Sequence, residues 1–349
     1  MKLLVLALPL LLSGPVYAQA TNWTEVNLAL TDAVVIADYN AFATAATAMD
    51  QQAKNFCADI TAQSLADFQM GFQQTMDGWQ AVQHIQFGPI TYFNWNYRLQ
   101  YWPDENGTGS RQLSALIASK DNAVLESEAF GSQSVGVQGL QALELLLFAD
   151  NSLSELQADP YRCGVAQAIA ANLAEIANGV AQRWSDEFRT TVADADERGF
   201  FESAEDATID FLKAQVEPIR SLQEQKIAAV LGGTQAEARE RRAESWRSER
   251  TVRNLKINVA SLSRFFNTGN PALSAVLPPE DIEGITAGFA KVEATLAALP
   301  DSLAAALATD SGYATLKQAA SDLGALFELF EASLKKTDLY LGFNSLDGD

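Results

Sequence analysis

The spacing of apolar residues constrains this 349-residue chain most: they recur three and four positions apart almost from end to end, and no two-residue alternation persists anywhere. That period places one apolar stripe along a helix, whereas half-buried strands need a period of two. Val26, Leu30, Val34, Ala37 and Ala41 share one face of a first helix that Thr21 or Asn22 can cap. Ser64-Leu-Ala-Asp67 reads as the capping signal of a second, carrying Leu65, Phe68, Phe72, Met76 and Trp79 and stopped by Phe87-Gly88-Pro89. Asp159-Pro160 opens another through Ile169, Leu173, Ile176, Val180 and Trp184. Further helices are predicted through Ile209–Ile219, where Pro218 can kink the chain, over a heavily charged 235–265, and over 280–297, 301–308 and 313–336. The expected fold class is all-α, with long helices and short connections packed as bundles. Hydrophobic residues make up 48% of the chain, enough for one large core or two moderate ones.

Two stretches stand apart. Residues 88–109 enclose Tyr92, Phe93, Trp95, Tyr97, Tyr101 and Trp102 between prolines and glycines, with Arg98 and Asp104 among them. An irregular segment of this length and aromatic content must pack on something. The other is Gly131-Ser-Gln-Ser-Val-Gly-Val-Gln-Gly-Leu-Gln-Ala-Leu-Glu-Leu-Leu-Leu-Phe148, predicted as a helix from near Ser132 or Ser134 to Phe148. On such a helix Ser134, Gln138, Gln141 and Glu144 form a polar stripe beside Leu140, Leu143 and Leu147. A carboxylate on so leucine-rich a helix must be buried and partnered.

The first residues read as a secretory signal: Lys2, an apolar run Leu3–Leu12, then Val16-Tyr17-Ala18 with cleavage expected after Ala18. The apolar run is too short to span a bilayer, no later stretch is long enough, and no cysteine before Cys57 offers a lipid-attachment point. An exported protein, soluble once residues 1–18 are removed, is expected. Its two cysteines then predict one structural disulfide, Cys57–Cys163. The formal net charge of −20 argues against nucleic acid or anionic lipid as partner and suits attraction of cations.

Gly139-Leu-Gln-Ala-Leu-Glu144 resembles the Gly-x-His-x-x-Glu motif of imelysin-like proteins. The resemblance extends to the Trp79 segment, Phe87-Gly88-Pro89, Tyr101-Trp102-Pro103-Asp104, Tyr161-Arg162-Cys163, Ser245-Trp246-Arg247-Ser248 and the terminal Leu341–Asp349. It implies two packed helical-bundle halves with the motif near their junction, placed here at 19–215 and 216–349. It also implies a periplasmic protein, since family members are often linked to iron acquisition, and a peptidase, the activity for which the family is named. In the family motif, His and Glu at i and i+3 point an imidazole and a carboxylate into one cavity. Here the histidine position is Gln141, whose neutral amide is a poor zinc ligand and no general base.

The chain has one histidine, His84, so a His-Glu-x-x-His zinc site is excluded. No phosphate-binding loop, dinucleotide fingerprint, haem-attachment motif or EF-hand loop occurs. The candidate ligand-binding residues are Gln141, Glu144, Arg98, Asp104, Trp102, His84 and Arg247. Glu144 and His84 are the candidates for a metal, iron or another divalent ion, with His84 replacing the motif histidine in space. Asp347 and Asp349 add oxygen ligands suited to hard cations. The expected function is a non-enzymatic periplasmic binding component of iron or other metal uptake, taking a metal ion or an iron-containing small molecule such as a siderophore or haem. Envelope iron-uptake proteins would be its partners. A metallopeptidase and a structural protein are the competing readings.

Overall fold

The computed structural model describes residues 22–104, 106–196 and 199–342. The signal segment and the acidic tail with Asp347 and Asp349 lie outside the described residues. The all-α expectation holds: the described residues form no strand, only an isolated bridge between Gly269 and Ala272. No helix among them is long and apolar enough to cross a membrane.

The first helix runs as α1 (Trp23–Leu30), a wide turn at Thr31–Val35, and α2 (Ile36–Ala58), capped by the Asn22 side chain. Next comes α3 (Ala62–Val82), whose N-terminus is capped by Thr61, with Ser64 answering from the third helical position. The capping signal thus sits three residues earlier than the sequence suggested. The aromatic segment folds as a 3-10 stretch, Gly88–Asn94, and the short α4 (Trp95–Leu99), followed by α5 (Thr108–Ser119) and α6 (Ser127–Gly131). Then come α7 (Leu140–Leu147), α8 (Ser152–Ala158), α9 (Pro160–Arg183) and α10 (Arg189–Ala193). α11 (Ala204–Ser221) passes through Pro218 and continues by a wide turn at Leu222–Ala228 into α12 (Ala229–Leu231). The chain closes with α13 (Thr251–Asn267), α14 (Pro279–Ala297), α15 (Leu303–Leu307) and α16 (Asp310–Leu334).

α2 packs against both α3 and α9, and α14 against α13 and α16, while α3 meets α13 and α1 meets α11 across the molecule. Cys57 at the end of α2 is bonded to Cys163 on α9, as expected from the two cysteines. This link closes a loop whose ends are 106 residues apart in sequence, which in the chain-entropy account stabilises the fold by about 4–5 kcal/mol.

Two predicted helices are broken, and both breaks build the site. The motif stretch is not one helix from Ser132: a 3-10 turn at Val135–Val137 precedes an extended Gly139, and α7 starts at Leu140. A Cβ on Gly139 would lie 2.5 Å from the Leu99 carbonyl oxygen, so only glycine lets the two backbones approach this closely. Residues 235–250 are likewise not helical. They form two 3-10 turns, Gln235–Glu237 and Glu240–Arg242, then an irregular run with Ser245 and Glu249 in the left-handed region. Glu244 and Arg250 are buried there with hydrogen-bond partners from other helices, and that satisfaction overrides the helical preference of a charged segment.

Candidate functional site

On α3 and the turn after it, Gln73, Asp77, Gln80 and His84 are spaced four, three and four apart and share one face. This polar stripe receives the irregular 240–250 run and α13. Arg250, 1% exposed, donates to the Gln73 carbonyl at 2.8 Å and pairs with Asp77, which also takes Arg253 at 2.5 Å. Burial raises the Asp77 carboxyl, but the two guanidiniums outweigh it and hold the group below the usual carboxylate range. Gln80 binds Glu244 (3.1 Å), Lys226 (3.2 Å) and Asn258 (2.8 Å).

Glu244 and Lys226 form a buried ion pair at 2.9 Å, and every strong donor and acceptor position is used. Lys226 Nζ donates to Gln80, Glu244 and Asn258, while the Glu244 oxygens accept from Gln80, Gln100, Lys226 and Asn254. Burial raises the Glu244 carboxyl, yet Lys226 and the amides more than offset it, so it stays below its ordinary value. Burial lowers the Lys226 ammonium. This arrangement is saturated, with nothing left over for a ligand.

Beside it opens a cavity of about 680 Å³, walled by Gln141, Glu144 and Leu145 of α7, by Gln100–Asp104 of the aromatic segment, and by Arg241–Arg247. Gly109 and Gly136 also line it. A Cβ on Gly109 would come within 2.9 Å of the Gly136 carbonyl, so α5 and the 3-10 turn can cross only through small residues. Glu144 is 3% exposed. Its Oε1 accepts from the Ser248 backbone N–H at 2.9 Å and from the Ser248 hydroxyl at 2.6 Å. Both of these contacts fall on Oε1, none is made by Oε2 among the described residues, and the residue lines the cavity. Burial raises the Glu144 carboxyl above the usual range; Ser248 and then Arg247 pull the other way, and Glu244 adds to the rise.

Three arginines line this cavity, Arg241 and Arg242 of them exposed. Arg247 is half-buried over the Trp246 ring at 4.3 Å, Arg241 lies over the same ring at 5.4 Å, and Arg242 is at the rim. None of the three makes a salt bridge or a side-chain hydrogen bond among the described residues. The nearby acids are spoken for: Asp104 accepts from the N–H groups of Thr108 and Gly109 at 2.7 and 2.8 Å, and Glu224 pairs with Arg220 at 3.1 Å. In a chain of net charge −20, three arginines free of salt bridges stand here beside the three acids Asp104, Glu144 and Glu224.

A sequence model of the imelysin family matches residues 35–330. The chain belongs to the imelysin family. Its fold is shared with an imelysin-like protein from Psychrobacter arcticum 273-4, at 20% identity, TM-score 0.74, and coverage of 92% of this chain and 97% of that one. It is also shared with a protein from Parabacteroides distasonis ATCC 8503 named as an iron-regulated protein A precursor, at 15% identity, TM-score 0.73, covering 89% and 94%. No curated protein matches by sequence.

Of the residues singled out in the sequence, Gln141, Glu144, Trp102, Asp104 and Arg247 of this imelysin-family chain all line the one cavity. Arg98 does not: it donates to Gln138 at 2.7 Å and to Asn172 at 2.9 Å, because the break at Gly139 turns Gln138 away from Gln141 and Glu144. His84 lies in a second cavity of about 510 Å³, and Gln100, Trp102 and Gln225 line both. Its ring meets Phe265 edge-on at 4.9 Å, neither nitrogen has a partner, and burial, with Arg264 nearby, pushes its pKa down to about 3. It therefore does not replace the motif histidine beside Glu144.

The residues at the motif do not fit a resident metal ion. Gln141 offers an amide where an imidazole would be needed, one Glu144 oxygen is held by Ser248, and the positive charge of Arg247 acts on the same carboxylate. No cluster of three or more His, Cys, Asp or Glu that could hold a metal occurs among the described residues. Sequence reasoning missed Arg241 and Arg242, which it placed in a heavily charged helix over 235–265, and Ser248, Lys226 and Glu244. The spacing of Gln73, Asp77, Gln80 and His84 was the available signal, since a polar stripe inside an apolar helix asks for partners.

Proposed function

We propose that this imelysin-family protein is an exported, non-enzymatic binding component of the cell envelope linked to iron or other metal uptake. It takes its metal as an anionic organic chelate rather than as a bare ion. One observation carries the reading: Arg241, Arg242 and Arg247, none of them in a salt bridge among the described residues, line a cavity large enough for a small organic molecule. Guanidiniums recognise carboxylate groups by paired N–H donors, and the indoles of Trp102 and Trp246 supply apolar contact at the wall. The link to iron rests on the family and on the name of the Parabacteroides neighbour. The peptidase reading has less support, because the motif histidine is Gln141 and no base stands in its place.

Elemental analysis after equilibration and desalting tests this. Wild type is expected to retain iron offered as ferric citrate and to lose Fe(II) or Zn(II) offered alone. The triple variant Arg241→Gln, Arg242→Gln, Arg247→Gln is expected to retain neither. Stoichiometric Zn(II) or Fe(II) held without a chelator and lost in Glu144→Ala would overturn the reading in favour of a metal centre.

A further inference from the structure

Glu144 Oε2 sets a second requirement on the ligand. It belongs to a side chain that is 97% removed from solvent, lines the cavity, and accepts no hydrogen bond among the described residues. One turn earlier on the same helix face, Gln141 Oε1 is buried without a partner. A buried acceptor such as Gln141 Oε1 loses its hydration without gaining a partner, so native sites seldom keep one that a ligand does not satisfy. Arg247, Arg241 and Arg242, which line the same cavity, call for negative charge, and more than one anionic group is needed to engage all three.

We infer that the ligand is a hydroxylated polycarboxylate: its carboxylates pair with the three arginines while a hydroxyl on the same carbon skeleton donates to Glu144 Oε2. This assignment rests on the anion-binding reading of the cavity and adds the hydroxyl donor to it. A plain dicarboxylate would leave Glu144 unpaired and would bring its own charge near that carboxylate. An α-amino acid would satisfy Glu144 through its ammonium but would occupy fewer of the guanidiniums. The hydroxyl is therefore what lets polyanionic ligands approach a buried glutamate at all. The fixed Ser248 contact on Oε1 holds the carboxylate in place, so the acceptor is already oriented before the ligand arrives.

Calorimetric titration with citrate and with tricarballylate, which carries the same three carboxylates but no hydroxyl, separates the two requirements. Citrate is expected to bind wild type at least about tenfold more tightly, a difference of about 1.4 kcal/mol. In Glu144→Leu no polar atom is left there to meet the ligand hydroxyl, and the tenfold preference is expected to vanish. Equal binding of the two anions to wild type, weakened alike in Arg247→Ala, would overturn the hydroxyl assignment and leave the anion site standing. Binding of neither anion would overturn the assignment by removing the anion site beneath it. Retention of the preference in Glu144→Leu, shown by circular dichroism to be folded, would move the hydroxyl partner away from Glu144 and contradict the inference.

Discussion

Two glutamates, Glu144 and Glu244, are almost equally buried, at 3% and 2% exposure, and they have been treated oppositely by the fold. Glu244 has both oxygens filled by Lys226, Asn254, Gln80 and Gln100. Glu144 has one oxygen filled by Ser248 and the other turned to a cavity ringed with arginine. Saturation makes the first a fastener between α3, the wide turn after α11, and α13. Incompleteness makes the second a place where something else must bind. Burial alone does not distinguish a structural charge from a functional one; the count of unfilled positions does.

The largest effect expected from breaking this contrast is at the fastener. Lys226→Met leaves the Glu244 charge buried without its cation and is expected to destabilise the protein by about 3–5 kcal/mol, read by urea denaturation. Next is the other side: Arg247→Ala should leave stability within about 1 kcal/mol but weaken citrate about 10- to 100-fold, the loss typical of a hydrogen bond to a charged group. Smaller is Trp246→Ala, which removes the ring under Arg247 and Arg241. A loss of about 0.5–1 kcal/mol, a few-fold in affinity by titration, is expected from the cation–π contact alone.

The pH dependence of the two glutamates should have opposite signs. Burial holds the Glu144 carboxyl above its unfolded value, so its contribution favours the fold at low pH and is lost as pH rises through the folded value. Lys226 and the amides hold Glu244 below its unfolded value, so its contribution is present at neutral pH and lost as pH falls through the folded value. Against wild type, Glu144→Gln should therefore gain relative stability as pH rises from acid to neutral, and Glu244→Gln should lose it over the same range, as melting temperatures can show.

Much of this was readable in advance. Helical spacing gave α2, α3 and α9, and two cysteines gave the bridge between Cys57 and Cys163, because both signals are local or depend on simple counting. The motif segment and Arg247 pointed to the cavity wall. The breaks at Gly139 and through 235–250 were not readable, since both arise from contacts with distant backbone and buried partners that no local pattern encodes. For the same reason Arg98 drew attention it does not merit at this site, and Arg241 and Arg242 drew too little. A guanidinium's role is set by whether an acid reaches it, and that depends on the tertiary path of the chain.

The most direct test of the contrast is urea denaturation of Glu144→Gln and Glu244→Gln side by side at pH 7, each with and without citrate. Glu244→Gln is expected to lose about 3–5 kcal/mol, because an amide N–H would face the donors of Lys226 and Asn254, and to keep its stabilisation by citrate at concentrations where it remains folded. Glu144→Gln is expected to lie within about 1 kcal/mol of wild type without ligand and to differ from wild type in its stabilisation by citrate, because the group that meets the ligand has lost its charge and exchanged an acceptor for a donor. Equal losses of stability in the two variants, with the same response to citrate, would contradict the division of these glutamates into fastener and ligand partner.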